Sequence, residues 1–528
     1  MITFQHRREI QFCAVQRSIT KTEFVSAMVN SKDMDAALAL WRFGLGAREG
    51  DLTAIGGDAR DLLRQEIIES YTPTPVGPRL TSSADLLIDL IAYNKEIQAE
   101  RDRPPAAAVS TSVQAAAAAK AQGAGTAAVQ GGGPGGVNPM GATPTSAAKS
   151  DALAPKRPYL PQQVLIAEAD ARFNGTIHQP LIGFGERLAM FWANHFAVAT
   201  GKGGDVHIMT GAFEREAIRP HVFGRFEDML LAVETHPAML YFLDNQQSIG
   251  PDSPANKNGN RGLNENLARE IMELHTLGVG GGYTQADVTS LSRIITGWTV
   301  YRDEKRQGPI GTFVFNASAH EPGDQTVMGL TYADDGVEQG KAALRDLARH
   351  PATARHLAFK LARHFVADDP PPGLVQALSA AYTRSHGNLS EVYTALIEAD
   401  ASWSPTLSKM RAPLDYVVAI VRATGLRPKP EQILSVLNAL GQPMWNPSGP
   451  NGFSDVSDGW ASSEGLATRI DAASLFAHQV PGAVDPRALV SDRLGPLASA
   501  ETIQAVARAE TKPQGLSIAF LSPEFQRL

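Results

Sequence analysis

The chain has 528 residues, enough for a sizeable core, and its 43% hydrophobic and 20% charged residues give a globular balance. A formal net charge of −7 and a pI near 6.0 exclude the concentrated basic surface that nucleic acid binding requires. The single cysteine, Cys13, excludes an intrachain disulfide and a cysteine-built zinc site, so any metal must rest on His, Asp, Glu or Asn.

From the N-terminus, residues 1–33 read as a disordered or mis-assigned extension. They carry basic residues but no apolar core of a signal peptide. The first periodic segment begins at Met34, and a true start at Met28 or Met34 is expected. Helical spacing over 34–45, 51–68 and 83–100 predicts an N-terminal helical segment (34–100) packed on the core. Residues 101–157 are Ala, Gly, Pro and Ser with almost no large apolar side chain. They cannot bury enough surface to offset chain entropy, and a disordered linker is expected.

From 158 to 528 apolar residues recur at i, i+3 and i+4, which predicts the main helical domain. Thr284 and Asp287 have capping-box spacing. The strand candidates are "TFVFN" (312–316) and "QTVMGL" (325–330), expected to pair as one small hairpin. The turn-rich segment after Gly441, with Trp445 and Trp460, reads as an ordered loop packed on helices. No apolar run approaches the roughly 18–20 residues of a membrane span. The expected fold is mainly α: a multi-helix globular core, one β-hairpin and a long disordered Ala/Gly/Pro-rich insertion. The cytoplasm is the default compartment.

Four stretches carry candidate chemistry. In "NENLAREIMELHTLG" (264–278) an ideal helix turns about 100° per residue, so Leu267, Ile271, Leu274 and Gly278 form a core stripe. Asn266, Glu270 and Glu273 converge on one flank, whereas His275 lies roughly 160° from Glu273. The bland alternative is that Asn264 caps the helix and Glu270 and Glu273 pair with arginines. In "ERLAMFWANHF" (186–196) His195 falls within the apolar stripe of Leu188, Phe191 and Trp192. It is a candidate base or metal ligand, or else a core histidine bonded to a carbonyl. In "ARHLAFKLARHF" (354–365) His356, Lys360 and His364 are spaced i, i+4, i+8 with Arg363 beside them. This basic flank meets the Glu270/Glu273 flank, binds an anion, or is simply solvated. His320 and Glu321 in "HEPGDQ" complete a site or shape the hairpin. The long loop 244–262, with Lys257 and Arg261, leads to a helix N-terminus, a weak anion signal. Walker A, Rossmann, G-x-S-x-G, H-E-x-x-H and EF-hand patterns do not occur.

The stretches "ALWRFGLGA", "ERLAMFWANHF", "GLNENLAREIMELHTLGVGGGYTQADV", "HPATARHLAFKLARHF", "GQPMWNPSGPNGF" and "SPEFQR" closely resemble the DUF1800 proteins, a bacterial family without an established activity. The match covers nearly the whole chain outside the linker. The resemblance implies a bacterial source. It also implies a partner, because such genes often neighbour one for a DUF1501 protein. Family members are often exported, which makes the periplasm the alternative compartment.

Two functions are expected. One is an enzyme or ligand-binding protein with a polar cleft, for which metal-assisted or general-base hydrolysis is the class to test. His195, Asn266, Glu270 and Glu273 would line it, with His275, Lys360, Arg363 and His364 as ligand-binding groups and a divalent metal as cofactor candidate. The other is a non-catalytic assembly or maturation partner of a DUF1501-type protein, with an exposed aromatic patch around Trp445 and Trp460.

Overall fold

The computed structural model describes residues 31–56, 58–70, 72–102, 158–178, 181–257, 259, 262–303 and 309–528. Most of the expected N-terminal extension and of the 101–157 linker lie outside the described residues, as does Arg261. The rest is mainly α-helical, as the periodicity predicts. The 31–38 stretch is already helical, so the first helix starts before Met34. Segment 51–68 divides into Asp51–Ile55 and Ala59–Ile68, broken at Gly56 with φ 56°. No helix among the described residues is long and apolar enough to cross a membrane.

Four helices carry the candidate polar residues and their partners. They are α1 (Phe184–His195), α2 (Phe226–Glu234), α3 (Asn266–Glu270) and α4 (Pro351–Phe365). The last starts at a proline, where a missing N–H costs nothing, and His350 caps it by accepting from the Ala352 N–H. Helix α3 does not end at Glu270. It widens into a π turn over Ile271–His275 and stops at Gly278, whose φ of 82° only glycine adopts freely.

Both strand candidates exist, but they do not pair with each other. β1 (Trp298–Val300) is antiparallel to β2 (Phe313–Phe315), and β3 (Gln325–Val327) to β4 (Leu330–Tyr332). "QTVMGL" is a strand and a turn: Met328 and Gly329 have φ of 51° and 78°, the geometry of a two-residue hairpin turn. The Asp287 carboxylate accepts from the Met328 N–H at 2.7 Å and fixes that turn on the helix whose capping box it completes.

Buried arginines tie the chain's early and late segments together. Arg42 donates to the carbonyls of Ser402, Ser404 and Thr406 at 2.9, 2.6 and 3.1 Å. Arg411 donates to Phe525 O at 3.1 Å and Trp41 O at 2.7 Å, and its guanidinium lies 4.9 Å from the centre of the Trp41 ring. Arg422 donates to the carbonyls of Gly46, Thr176 and Leu181. Burial pushes Arg411 down to about 9, which leaves it protonated at neutral pH. The 441–462 loop is ordered, as expected. The patch expected around its tryptophans is not exposed: Trp460 is buried, and the Trp445 indole donates to Glu214 at 3.0 Å beneath the Arg172 guanidinium.

Replacing Arg411 by Met deletes two charge-assisted hydrogen bonds and strands two buried carbonyls. The expected loss is roughly 3–6 kcal/mol, read as a lowered urea midpoint. Arg349→Met, which removes an exposed pair with Glu227, should cost less than about 1 kcal/mol. Equal losses in the two variants would refute the assignment of stability to the buried carbonyl contacts.

Candidate functional site

The end of a helix leaves carbonyls without intrahelical partners. At the π turn after α3, two of these are met by histidines from other helices. His195, the last residue of α1, lies 3.1 Å from His275 O through Nε2. His356, from α4, lies 3.1 Å from Leu274 O through Nε2. A carbonyl only accepts, so both Nε2 atoms carry the hydrogen and both Nδ1 atoms hold a lone pair. The bland reading of His195 is therefore correct for one of its two nitrogens.

His275 itself is fully buried. Its Nδ1 donates to the carboxylate of Glu234, the last residue of α2, at 2.7 Å. The ring centroids of His195 and His275 are 6.2 Å apart, and those of His195 and His356 6.1 Å. His195 Nδ1, His275 Nε2 and Glu234 Oε2 are buried without a hydrogen-bond partner. Gly278 packs so closely here that a Cβ would sit 2.6 Å from His356 Nδ1.

Charge reinforces this arrangement. Lys360 lies one turn beyond His356, with Nζ 3.3 Å from Asp455 of the 441–462 loop. Burial, then the Lys360 charge, hold His195 well below the usual histidine range. The same two causes push His356 down to about 4. Burial drives the half-buried Glu270 the other way, upward. The nearby His275 opposes the rise, while Glu273 and Glu234 add to it. The result is two imidazoles held low beside a carboxyl pushed up, the opposed shifts that acid–base chemistry uses.

The candidates from the sequence divide. His195, His275, Glu270, His356 and Lys360 come together. Asn266 is exposed in the first turn of α3, and Glu273 accepts from the Tyr283 hydroxyl at 3.4 Å. Among the described residues neither Glu270 nor Glu273 is ion-paired with an arginine of another helix. Lys360 meets Asp455 rather than the Glu270/Glu273 flank. Arg363 leaves the cluster: it stacks 4.3 Å over Phe359 and donates to Asp368 O. Asn264 is not the cap of α3: Glu265 holds that position without a side-chain cap bond, and Asn264 Oδ1, one residue earlier, accepts from Asn266 N at 2.9 Å. His320 and Glu321 anchor the β region to Thr296 and to Asp252 N, away from the histidines. Lys257 is exposed.

Sequence reasoning missed Glu234 and Asp455. Glu234 had a signal: an acid four residues after Leu230, on the apolar stripe of Phe226, Met229, Leu230 and Val233. Asp455 had none, since only the path of the loop brings it to Lys360. Among the described residues no group of three or more His, Cys, Asp or Glu side chains is placed to hold a metal ion. The divalent metal considered from the sequence therefore has no ligand set among them.

The depressed histidines fix the sign of an acid response. Unfolded, each ring takes a proton near pH 6.5; folded His356 resists until about 4. As pH falls through 6.5 the unfolded state gains protons first, so stability present above that pH is lost on acidification. His356 alone should remove about 2 kcal/mol between pH 7 and pH 5. Denaturant unfolding at the two pH values should show this fall, and His356→Gln should reduce it. A fall of equal size in the variant would show that His356 is not its source.

The comparisons with known proteins agree with the resemblance read from the sequence. No curated protein and no solved structure matches the chain significantly. The family model described as "Protein of unknown function (DUF1800)" matches residues 38–527. The chain belongs to the DUF1800 family.

Proposed function

We propose that the chain is an enzyme whose acid–base site lies where α1, α2, α4 and the π turn meet, with hydrolysis as its reaction class. His275 is the general base, oriented by Glu234, and Glu270 is the general acid. His195 and His356 are positioning residues that fix the carbonyls of the turn. Lys360 supplies positive charge. In the step envisaged, His275 Nε2 takes a proton from water as its oxygen attacks the substrate. Glu270 then gives its proton to the leaving group.

One observation carries this reading. Buried polar atoms are nearly always hydrogen-bonded, and leaving one unpaired costs about 1–3 kcal/mol. His195 Nδ1 and His275 Nε2 are both unpaired within a single cluster. A site that accepts protons needs such nitrogens free. The step as written runs on side chains alone.

The test is turnover of chromogenic esters, amides and phosphate monoesters by the full chain. Glu270→Gln is the informative variant, because its side chain is half-buried and carries no ion pair to another helix among the described residues. It should lose activity about 100-fold or more with little change in thermal midpoint. Inert wild-type protein across all three classes, or an equally active Glu270→Gln, would sink the proposal.

A second reading has one observation in its favour. Helix Ser463–Gln479 exposes Leu466 and Ile470, one turn apart on the same face, at 45% and 55%, an apolar surface where the tryptophan patch was not found. Such a surface suits a non-catalytic partner of a DUF1501-type protein. Co-purification of the two proteins, lost in Leu466→Glu/Ile470→Glu, would support it. Failure of the wild-type chain to co-purify would remove it.

A further inference from the structure

Helix Leu160–His178 carries Ala167, Asp170, Ala171, Asn174 and Gly175 at positions i, i+3, i+4, i+7 and i+8, which is one face of a helix. That face and the proline-rich strap 73–80 form the two walls of a cavity of about 380 Å³, a size common for small-molecule sites. The strap is tied at its ends, where Arg219 donates to Pro73 O and Arg215 donates to Thr81 O, each at 2.6 Å. Glu186, Arg172 and Arg219 form the floor. Glu186 lies in the first turn of α1 and His195 ends that helix, so at about 1.5 Å per residue the cavity is roughly 13 Å along α1 from the acid–base cluster.

We infer that this cavity binds an organic cation with an apolar body, an amine on a short hydrocarbon or aromatic frame. The walls suit the body. Pro73, Pro75, Pro78 and Leu80 of the strap face the small side of the helix, Ala167, Ala171 and Gly175. A Cβ placed on Gly175 would meet no atom within 4 Å, so this part of the wall looks onto open space. Val76, at the middle of the strap, is 84% exposed and lines the same cavity, so an occupant would cover apolar surface that the fold leaves in water.

The charges select the head group. Arg219 meets both oxygens of Glu186, at 2.6 and 3.1 Å, and Arg172 and Arg219 share Glu214, which lies behind the floor. These two cations and two carboxylates cancel. Asp170 is left over: it is exposed at the rim, and among the described residues no lysine or arginine is ion-paired with it. An ammonium beside Asp170 gains a counter-charge while its frame lies against the prolines and alanines. An anion would meet that carboxylate with no unmatched cation to hold it. A neutral molecule would fill the walls and leave Asp170 to water.

This inference is independent of the acid–base reading, and either can fail alone. The test is isothermal titration of the full chain with benzylamine hydrochloride, benzyl alcohol and benzoate, at neutral pH and constant ionic strength. Saturable binding of benzylamine is expected, with benzyl alcohol weaker and benzoate weakest. Asp170→Asn should weaken benzylamine about two- to fivefold, the range of an exposed ion pair, and leave benzyl alcohol unchanged. Gly175→Leu should fold at least as well as wild type, because its Cβ meets nothing and leucine favours a helix over glycine, yet its side chain fills the cavity and should abolish binding. No saturable binding of benzylamine by the wild-type chain would overturn the inference without any variant. Folded Gly175→Leu that binds as tightly as wild type would overturn the location, and benzyl alcohol or benzoate binding as tightly as the amine would overturn the choice of a cation.

Discussion

The structure depends on buried arginines whose donors go mostly to backbone carbonyls. Arg42, Arg411, Arg422 and Arg469 are almost wholly buried, and each spends its donors on oxygens far away in sequence, mostly backbone carbonyls. A buried charge is tolerated only when its hydrogen bonds are satisfied. The planar fork of arginine meets two or three carbonyls at once, which a lysine cannot do. Irregular segments such as 402–406 and 44–47 can therefore lie in the interior although they form no regular backbone ladder. Each arginine fixes several loops simultaneously, which makes the contacts cooperative.

The π turns follow the same logic. Among the described residues four five-residue π turns occur, at Ala39–Phe43, Glu214–Ile218, Ile271–His275 and Val490–Leu494. Three of them contain a carbonyl taken by a side chain. Trp41 O receives Arg411, Arg493 O receives the Trp41 indole at 2.6 Å, and Leu274 O and His275 O receive His356 and His195. In the first two the side-chain partners belong to the arginine-centred core. In the third they are histidines, each with a second nitrogen left over. That difference separates a structural joint from a candidate site: a guanidinium in the same place would offer no lone pair.

Much of this was legible in the sequence. The period of "ERLAMFWANHF" placed His195 among Leu188, Phe191 and Trp192, where the structure has it, because α1 is a regular helix buried on that face. The spacing of His356, Lys360 and His364 likewise held, since α4 is regular. The projection of 264–278 held only in part. It assumed 3.6 residues per turn, and the π turn changes that count from Ile271 onward. Glu270 lies before the change and joins the cluster; the placement of His275 against Glu234 lies within it. The hairpin was misread for a local reason, since positive φ at Met328 is not marked by its residue type. Asp455 was out of reach because its position comes from a loop pinned by the reciprocal Asn194–Phe453 hydrogen bonds at 3.0 and 2.7 Å.

That pinned loop links the parts. Burial, then the Lys360 charge, lowers His195 and His356, and Asp455 faces that lysine at 3.3 Å. Asp455 is in turn held by the loop: its carbonyl receives Lys409, and Ser457 N donates to Asp368. The charge beside the histidines is therefore tied to the position of one loop residue. The loop, the lysine and the imidazoles thus form one electrostatic unit, joined through the contact of Lys360 with Asp455.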